Sequence, residues 1–266
     1  MLRASFDRVA SLYDEARPGY PEALFEDVVT LSRIPAGGRM LEIGCGTGKA
    51  TEPFARRGYR VFCVELSENL ARFARSRLAV YPRTEIRTGA FEDWPAEENA
   101  FNLAVSAEAF HWLDQADAYR KIARTLRSGG ALALFWNRHV QSDKSENFFE
   151  AAQEVYRREA PELVKEYPLK LPDPDEVSGR TGEGKIEETG LFEEMKVRKY
   201  RWDAEYDALG YTRLLSTYSD HVNLGAAARE RLLEGIAELI DSEFGGRVVK
   251  GYVSILYVAR VRAGSP

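Results

Sequence analysis

The sequence predicts an α/β protein, a doubly wound and mostly parallel sheet with helices on both faces. Three observations carry this expectation. Strand-like and helix-like patterns alternate between residues 39 and 136, the connections are short, and runs such as FNLAVSA and ALALFW are apolar nearly throughout. Alternation of that kind builds parallel strands joined by right-handed crossovers, and strands covered on both faces lose their polar alternation.

The elements follow in order. SFDRVASLYDE sets Phe6, Val9, Ala10 and Tyr13 at helical spacing behind Ser5 as a cap, and Pro18 and Pro21 interrupt it. Pro21 suits the first turn of a second helix over 21–34, which PAGGR (35–39) ends. RMLEIG (39–44) is a strand, followed by a glycine loop and a helix through 57. RVFCVEL (60–66) is the next strand, and Ser67 opens a helix over 68–79. TEIRTG (84–89) is a more polar strand, and FNLAVSA (101–107) a buried one. A helix over 113–130 is expected to stop at Gly129 and Gly130, with ALALFW (131–136) as the fifth strand. Beyond it the rhythm changes. Residues 141–170 read as helical, 171–185 as turn-rich, 193–202 as a strand, 204–217 and 225–243 as helices, and 250–261 as a long strand after Gly245-Gly246.

The whole chain has 266 residues, 44% hydrophobic and 30% charged, with a net charge of −5. That balance speaks against a dedicated nucleic-acid binder, which carries a basic footprint. Two cysteines, Cys45 and Cys63, make no disulfide framework and read as reduced thiols. Neither they nor the three histidines show metal-ligand spacing. The N-terminus has no secretory pattern and no run is long enough to span a bilayer, so the chain reads as cytoplasmic.

LEIGCGTGKA (41–50) carries the chemistry. Glycines at 44, 46 and 48 let a ligand approach the backbone, and the helix behind them presents free N–H groups. A triphosphate loop fails twice here, because Ile43 stands where its first glycine belongs and Ala50 follows Lys49. A dinucleotide loop fails once, at Lys49. Glu65 ends the second strand about twenty residues on, where a carboxylate accepts hydrogen bonds from ribose hydroxyls and repels a phosphate. The pattern suits an adenosyl ligand without phosphate.

LEIGCGTGKA with VELSENL, GAFEDWP and LRSGGALALFW resembles the class I S-adenosylmethionine-dependent methyltransferases over residues 36–138. FDRVASLYDEARPGYP, EAFHWLD, TYSDHVNL and GYVSILYVAR look like the methyltransferase type 11 subgroup that includes trans-aconitate methyltransferase. The resemblance implies a Rossmann-like, seven-stranded sheet with a helical lid. Residues 1–35 would cover the active site, 36–138 would form the cofactor-binding core, and 139–266 would complete the sheet with inserted helices at 141–170 and 204–245. It implies S-adenosyl-L-methionine as cofactor, with Glu42, Gly44, Gly46 and Gly48 holding its methionine part. Glu65 would take the ribose and Leu66, Ala90, Phe91 and Glu92 would surround the adenine. Ser106 would lie under the sulfonium, and Tyr13 and Arg17 would reach the carboxylate.

Methyl transfer of this type is an in-line displacement, so no nucleophilic triad is needed and none is found. Acceptor recognition should come from Arg138, His139, Arg213, Tyr218 and His221, and His111 in AFHWLD is the candidate catalytic group. The place after the fourth strand, SAEAFHW, lacks the Asp/Asn-Pro-Pro-aromatic motif of nucleic-acid amino-methylating enzymes, so a small-molecule acceptor, a carboxylate or a hydroxyl, is expected. A nicotinamide-dependent oxidoreductase and a non-catalytic cofactor-binding protein are the alternatives.

Overall fold

The computed structural model describes residues 14–145, 147–164, 171–178 and 183–263. The described elements are α1 (Glu22–Ser32), β1 (Arg39–Ile43), α2 (Thr51–Arg56), β2 (Arg60–Glu65), α3 (Glu68–Leu78), β3 (Thr84–Thr88), β4 (Phe101–Ala107), α4 (Gln115–Thr125), β5 (Leu126–Val140), α5 (Phe148–Glu159), α6 (Glu183–Glu188), β6 (Phe192–Asp207), α7 (Ala208–Leu215), α8 (Ser219–Val222), α9 (Ala226–Glu243) and β7 (Arg247–Val261). Short 3₁₀ turns stand at Phe110–Trp112 and Pro161–Leu163. The helix expected from Ser5 falls mostly outside the described residues.

The seven strands form one sheet in the order β3-β2-β1-β4-β5-β7-β6. The pairings from β3 through β5 are all parallel. The chain winds from β1 to β2 and β3, then returns to place β4 and β5 on the other side of β1. The strand order therefore reverses between β1 and β4, and ligands of open α/β sheets bind at such a switch point, outside the carboxyl ends of the strands.

Position in the sheet explains the strand patterns. Interior β7 is buried almost throughout, whereas the edge strands β3 and β6 alternate with exposed positions. The helix over 113–130 needs correcting. α4 begins after Asp114, whose side chain accepts from the Asp117 N–H at 3.1 Å, and it ends at Thr125. β5 starts at once, pairing Leu126 with Phe101 but Ala131 with Leu103, so residues 127–130 bulge out of register. Gly129, at φ +73°, serves that bulge and not a helix cap. The alternation in β6 likewise persists through Asp207, and α7 is shorter than expected. Its cap is the Asp207 carboxylate, which accepts from Gly210 N–H at 2.6 Å.

The chain divides into two compact units. One holds residues 19–137, 178–200 and 254–266. Its core packs Leu24, Phe25 and Val28 of α1 and Phe54 of α2 with Met40, Leu103, Val105 and Phe135 of the sheet. The Phe25 and Phe54 rings meet edge to face at 5.3 Å. The other unit holds residues 1–18, 138–177 and 201–253. Phe148 and Val155 of α5, Leu214 of α7 and Leu232, Ile236 and Ile240 of α9 form its core. Gly235 lets α9 and α5 approach closely, since a Cβ there would lie 2.8 Å from Val155. No helix among the described residues is long and apolar enough to cross a membrane.

Phe54 is fully buried in the first core. Phe54→Ala should destabilise the chain by about 3–5 kcal/mol, while Val80→Asp, at a position 77% exposed, should stay within about 0.5 kcal/mol. Denaturant unfolding of both variants checks the contrast.

Candidate active site

β1 ends at Ile43 and the chain enters the loop 44–50 ahead of α2. Gly44, Gly46 and Gly48 all have positive φ, +71°, +57° and +85°. Their spatial demands differ. A Cβ on Gly44 would lie 2.5 Å from Ala109 Cβ, and one on Gly48 would lie 3.0 Å from Leu78, whereas one on Gly46 would meet nothing within 4 Å. Two glycines thus permit packing and the middle one keeps the ligand side open.

Glu65, buried at the end of β2, braces this loop. Its Oε2 accepts from Gly46 N–H at 2.8 Å and its Oε1 from Ser67 N–H at 2.9 Å. Both oxygens of the carboxylate are thereby tied to main-chain N–H groups at the loop and at the start of α3. Leu66 follows it with its side chain exposed.

Glu42 is the electrostatic outlier. It is 1% exposed, and among the described residues neither of its oxygens, nor the neighbouring Thr51 hydroxyl, makes a hydrogen bond. Burial, with the Glu65 charge adding to it, raises its pKa from 4.5 to about 7 against a smaller lowering by Thr51. A buried acid without a donor is costly, and a cation or donor placed against it would be rewarded. Cys45 and Cys63 are free and buried nearby. Their mutual contact and burial raise the Cys45 pKa well above the usual thiol value, so it packs as a neutral thiol.

The remaining expected cofactor residues are placed as follows. Ser106 is fully buried and its hydroxyl donates to Ile43 O at 2.9 Å, tying the end of β4 to the end of β1. Ala90 is half-buried and Glu92 exposed. The Phe91 ring is turned inward, 6.0 Å from the Trp94 ring, and Lys121 Nζ donates to Phe91 O and Glu92 O at 2.7 and 2.8 Å. Phe91 therefore offers a ligand its main chain and not its ring.

His111 sits half-buried on the 3₁₀ turn after β4, against Trp112 at 4.8 Å. The Trp136 indole N–H donates to its Nδ1 at 3.3 Å. An indole nitrogen can only donate, so Nδ1 is the acceptor in this contact.

Sequence reasoning missed Glu108. It adopts φ +58°, rare for a non-glycine residue, at the carboxyl end of β4. Its Oε1 accepts from Asn137 N–H at 2.5 Å, and Asn137 in turn donates to Gly19 O at 3.0 Å and accepts from the Ser254 hydroxyl at 2.5 Å. Backbone strain of this kind concentrates at functional sites, and no residue pattern announces it.

In the other unit, Arg17 donates to Thr217 O at 2.9 Å and lies over the Tyr218 ring at 4.6 Å. Tyr13 lies outside the described residues. His221 is buried between two partners, Tyr156 Oη at 2.7 Å from its Nε2 and Asp220 Oδ1 at 2.8 Å from its Nδ1. That contact holds the Asp220 carboxyl below its usual range, while burial pushes the Tyr156 phenol up. Burial, then the Lys250 charge, drives His139 down to about 2, so it is a neutral group with a buried, unpartnered Nε2. Arg138 is half-buried, and Arg213 is exposed, 3.5 Å from Glu15. The structure thus gathers Arg17, His139 and Tyr218 with Lys250, a residue not singled out from the sequence, and leaves Arg213 on the surface.

Residues 41–134 match the family described as a methyltransferase domain. An uncharacterized methyltransferase of Mycobacterium tuberculosis is 34% identical over 137 residues, 51% of this chain and 53% of that protein. The chain thus spans about half the length of the curated relatives it matches. A protein of Anaeromyxobacter dehalogenans assigned to the type II methyltransferases has the same fold, with a TM-score of 0.64 and 23% identity over 92% of this chain and 97% of that one. A phosphoethanolamine N-methyltransferase of Haemonchus contortus, solved with phosphomonomethylethanolamine and S-adenosylhomocysteine, gives a TM-score of 0.54 at 18% identity over 98% of this chain and 60% of that one. The glycine loop, Glu65 and the end of β4 all belong to the matched methyltransferase domain.

The Glu42 environment makes a pH prediction. Its folded pKa is raised, so its contribution to stability is full below pH 4.5 and is lost as pH rises through about 7. Glu42→Gln cannot ionise. Without ligand it should exceed the parent in stability by up to about 3 kcal/mol at pH 8 and match it near pH 4.5. Denaturant unfolding at the two pH values measures this, and an equal difference at both would remove the buried charge from the account.

Proposed function

We propose that this chain is an S-adenosylmethionine-dependent methyltransferase acting on a small-molecule acceptor. The observation that carries the reading is the corner built from Glu42, Gly46 and Glu65. It combines a buried acid whose oxygens make no full hydrogen bond among the described residues, a backbone face kept open by glycine, and a second buried carboxylate that braces the loop. Such a corner fits a cationic nucleoside bearing ribose hydroxyls and disfavours a pyrophosphate, which two carboxylates would repel. The Haemonchus enzyme of the same fold is bound to the demethylated form of that compound, which supports the reading.

The fit assigns residues. Glu42 and the Gly44–Gly48 main chain would hold the methionine part, and Glu65 would accept from the ribose hydroxyls. Exposed Leu66 would lie against the adenine, with the main chain at Ala90 and Phe91 and the Glu92 carboxylate along its edge. Ser106 acts indirectly, by holding the ends of β1 and β4 together. When bound, the cofactor supplies a methyl group already attached to a good leaving group. The protein's remaining task is to align the acceptor and exclude water, and orientation of this kind contributes about 7–11 kcal/mol toward a barrier. His111, on the turn after β4, would orient the acceptor.

Calorimetry with S-adenosylhomocysteine tests the cofactor assignment. Glu65→Ala should weaken binding roughly 10-fold to 150-fold, since it removes a charged acceptor worth about 1.5–3 kcal/mol. NAD binding in place of S-adenosylhomocysteine would turn the reading toward an oxidoreductase. Turnover is tested by incubating a metabolite extract with isotope-labelled S-adenosylmethionine and identifying labelled products by mass spectrometry. His111→Ala should leave the cofactor affinity unchanged and slow that turnover by roughly 10²-fold, and equal rates would make His111 a packing residue.

A further inference from the structure

Lys250 lies on β7 with 4% of its surface exposed, a position lysine almost never takes unless its charge is paired. Its Nζ donates to Tyr218 Oη at 3.2 Å. It also stands 5.4–5.9 Å from the ring centres of Tyr218, Phe149, Tyr252 and Tyr211. Among the described residues no carboxylate forms an ion pair with it. Burial pushes Tyr206, Tyr211 and Tyr252 up, so they remain protonated. Tyr206 and Tyr252 share a hydrogen bond of 3.3 Å. His139, which feels the Lys250 charge, is neutral. The Arg17 guanidinium lies over the Tyr218 ring at 4.6 Å.

The cluster therefore sets the Lys250 ammonium among several phenol hydroxyls, and no carboxylate forms an ion pair with it among the described residues. An ammonium has three N–H donors, and here Tyr218 takes one while the others face aromatic rings. The chemistry that completes such a cluster is an oxygen anion, which would pair with Lys250 and accept from the phenols. We propose that Lys250, with Tyr218 and Tyr252, forms a subsite for an oxyanion, a carboxylate or a phosphate group, carried by the small-molecule acceptor. Calling the ligand the acceptor rests on the methyltransferase reading, whereas the anion binding itself does not.

The test is calorimetric, on the full chain at constant ionic strength, with succinate, inorganic phosphate and neutral succinamide as probes and S-adenosylhomocysteine measured in parallel. The parent protein should bind succinate or phosphate and not succinamide, and the stronger of the two identifies the acid group. Lys250→Met, similar in length and apolar, should weaken the anion at least 10-fold and leave S-adenosylhomocysteine affinity intact. Should Lys250→Met fail to fold, Tyr218→Phe decides, because it keeps ring and lysine and should still weaken the anion at least 3-fold. No binding of either anion, equal binding of succinamide, or unchanged anion affinity in the folded variant would overturn the subsite. Anion binding without S-adenosylhomocysteine binding would leave the subsite standing and remove the cofactor assignment.

Discussion

An acid buried in β1 without a full hydrogen bond is the constraint on which the glycine-loop side of this chain depends. Glu42 occupies a strand position whose neighbours Leu41 and Ile43 are apolar core residues, and a leucine there would avoid the desolvation that its carboxylate suffers. The cost makes sense only as half of an interaction. A cation or a strong donor set against Glu42 both gains the attraction and relieves the burial penalty, so the same carboxylate that weakens the unliganded protein favours a positively charged ligand over a neutral or anionic one of equal shape. Selectivity for charge is thus built below the loop.

The loop itself is held before any ligand arrives. Glu65 fixes the Gly46 amide, Ser106 fixes the Ile43 carbonyl, and Gly44 and Gly48 pack against Ala109 and Leu78. Each restraint comes from a different element, β2, β4, the turn after it and α3, and they converge where the strand order reverses. A loop so restrained loses little further entropy when it is filled, and preorganisation of that kind converts directly into affinity. It also explains why three glycines appear at every second position. Two of them are demanded by close neighbours, and the third leaves the open face.

The alternating half of the chain was legible because strand burial and helix amphipathicity leave periodic marks, and β1, β2 and β4 begin and end near where their apolar runs do. The end of α4 was not. The leucine and glycines of LRSGG fit a helix terminus as well as they fit a bulged strand, and only the pairing of Leu126 with Phe101 distinguishes them. In the candidate site, the glycines and Glu65 stood out in the sequence because an open loop and a carboxylate at a strand end leave marks in residue type. Glu108 was not, since its significance lies in a backbone angle. Lys250 is the instructive omission. A charge inside KGYVSILYVARV breaks an otherwise apolar strand, and that break was visible in the residues. The burial that makes it meaningful comes from Phe149, Tyr211 and Tyr218, supplied by distant segments.

Glu42 and Lys250 pose the same problem with opposite signs, each in its own compact unit. Lysine and glutamate are normally kept out of the interior because their hydration is lost there, and a pair of them brought together would cancel. Here each is isolated from carboxylate or ammonium partners among the described residues, so neither interaction can be satisfied by the other within its unit. Each unit therefore carries one buried charge that a ligand of opposite sign would neutralise, and removal from water strengthens such an attraction.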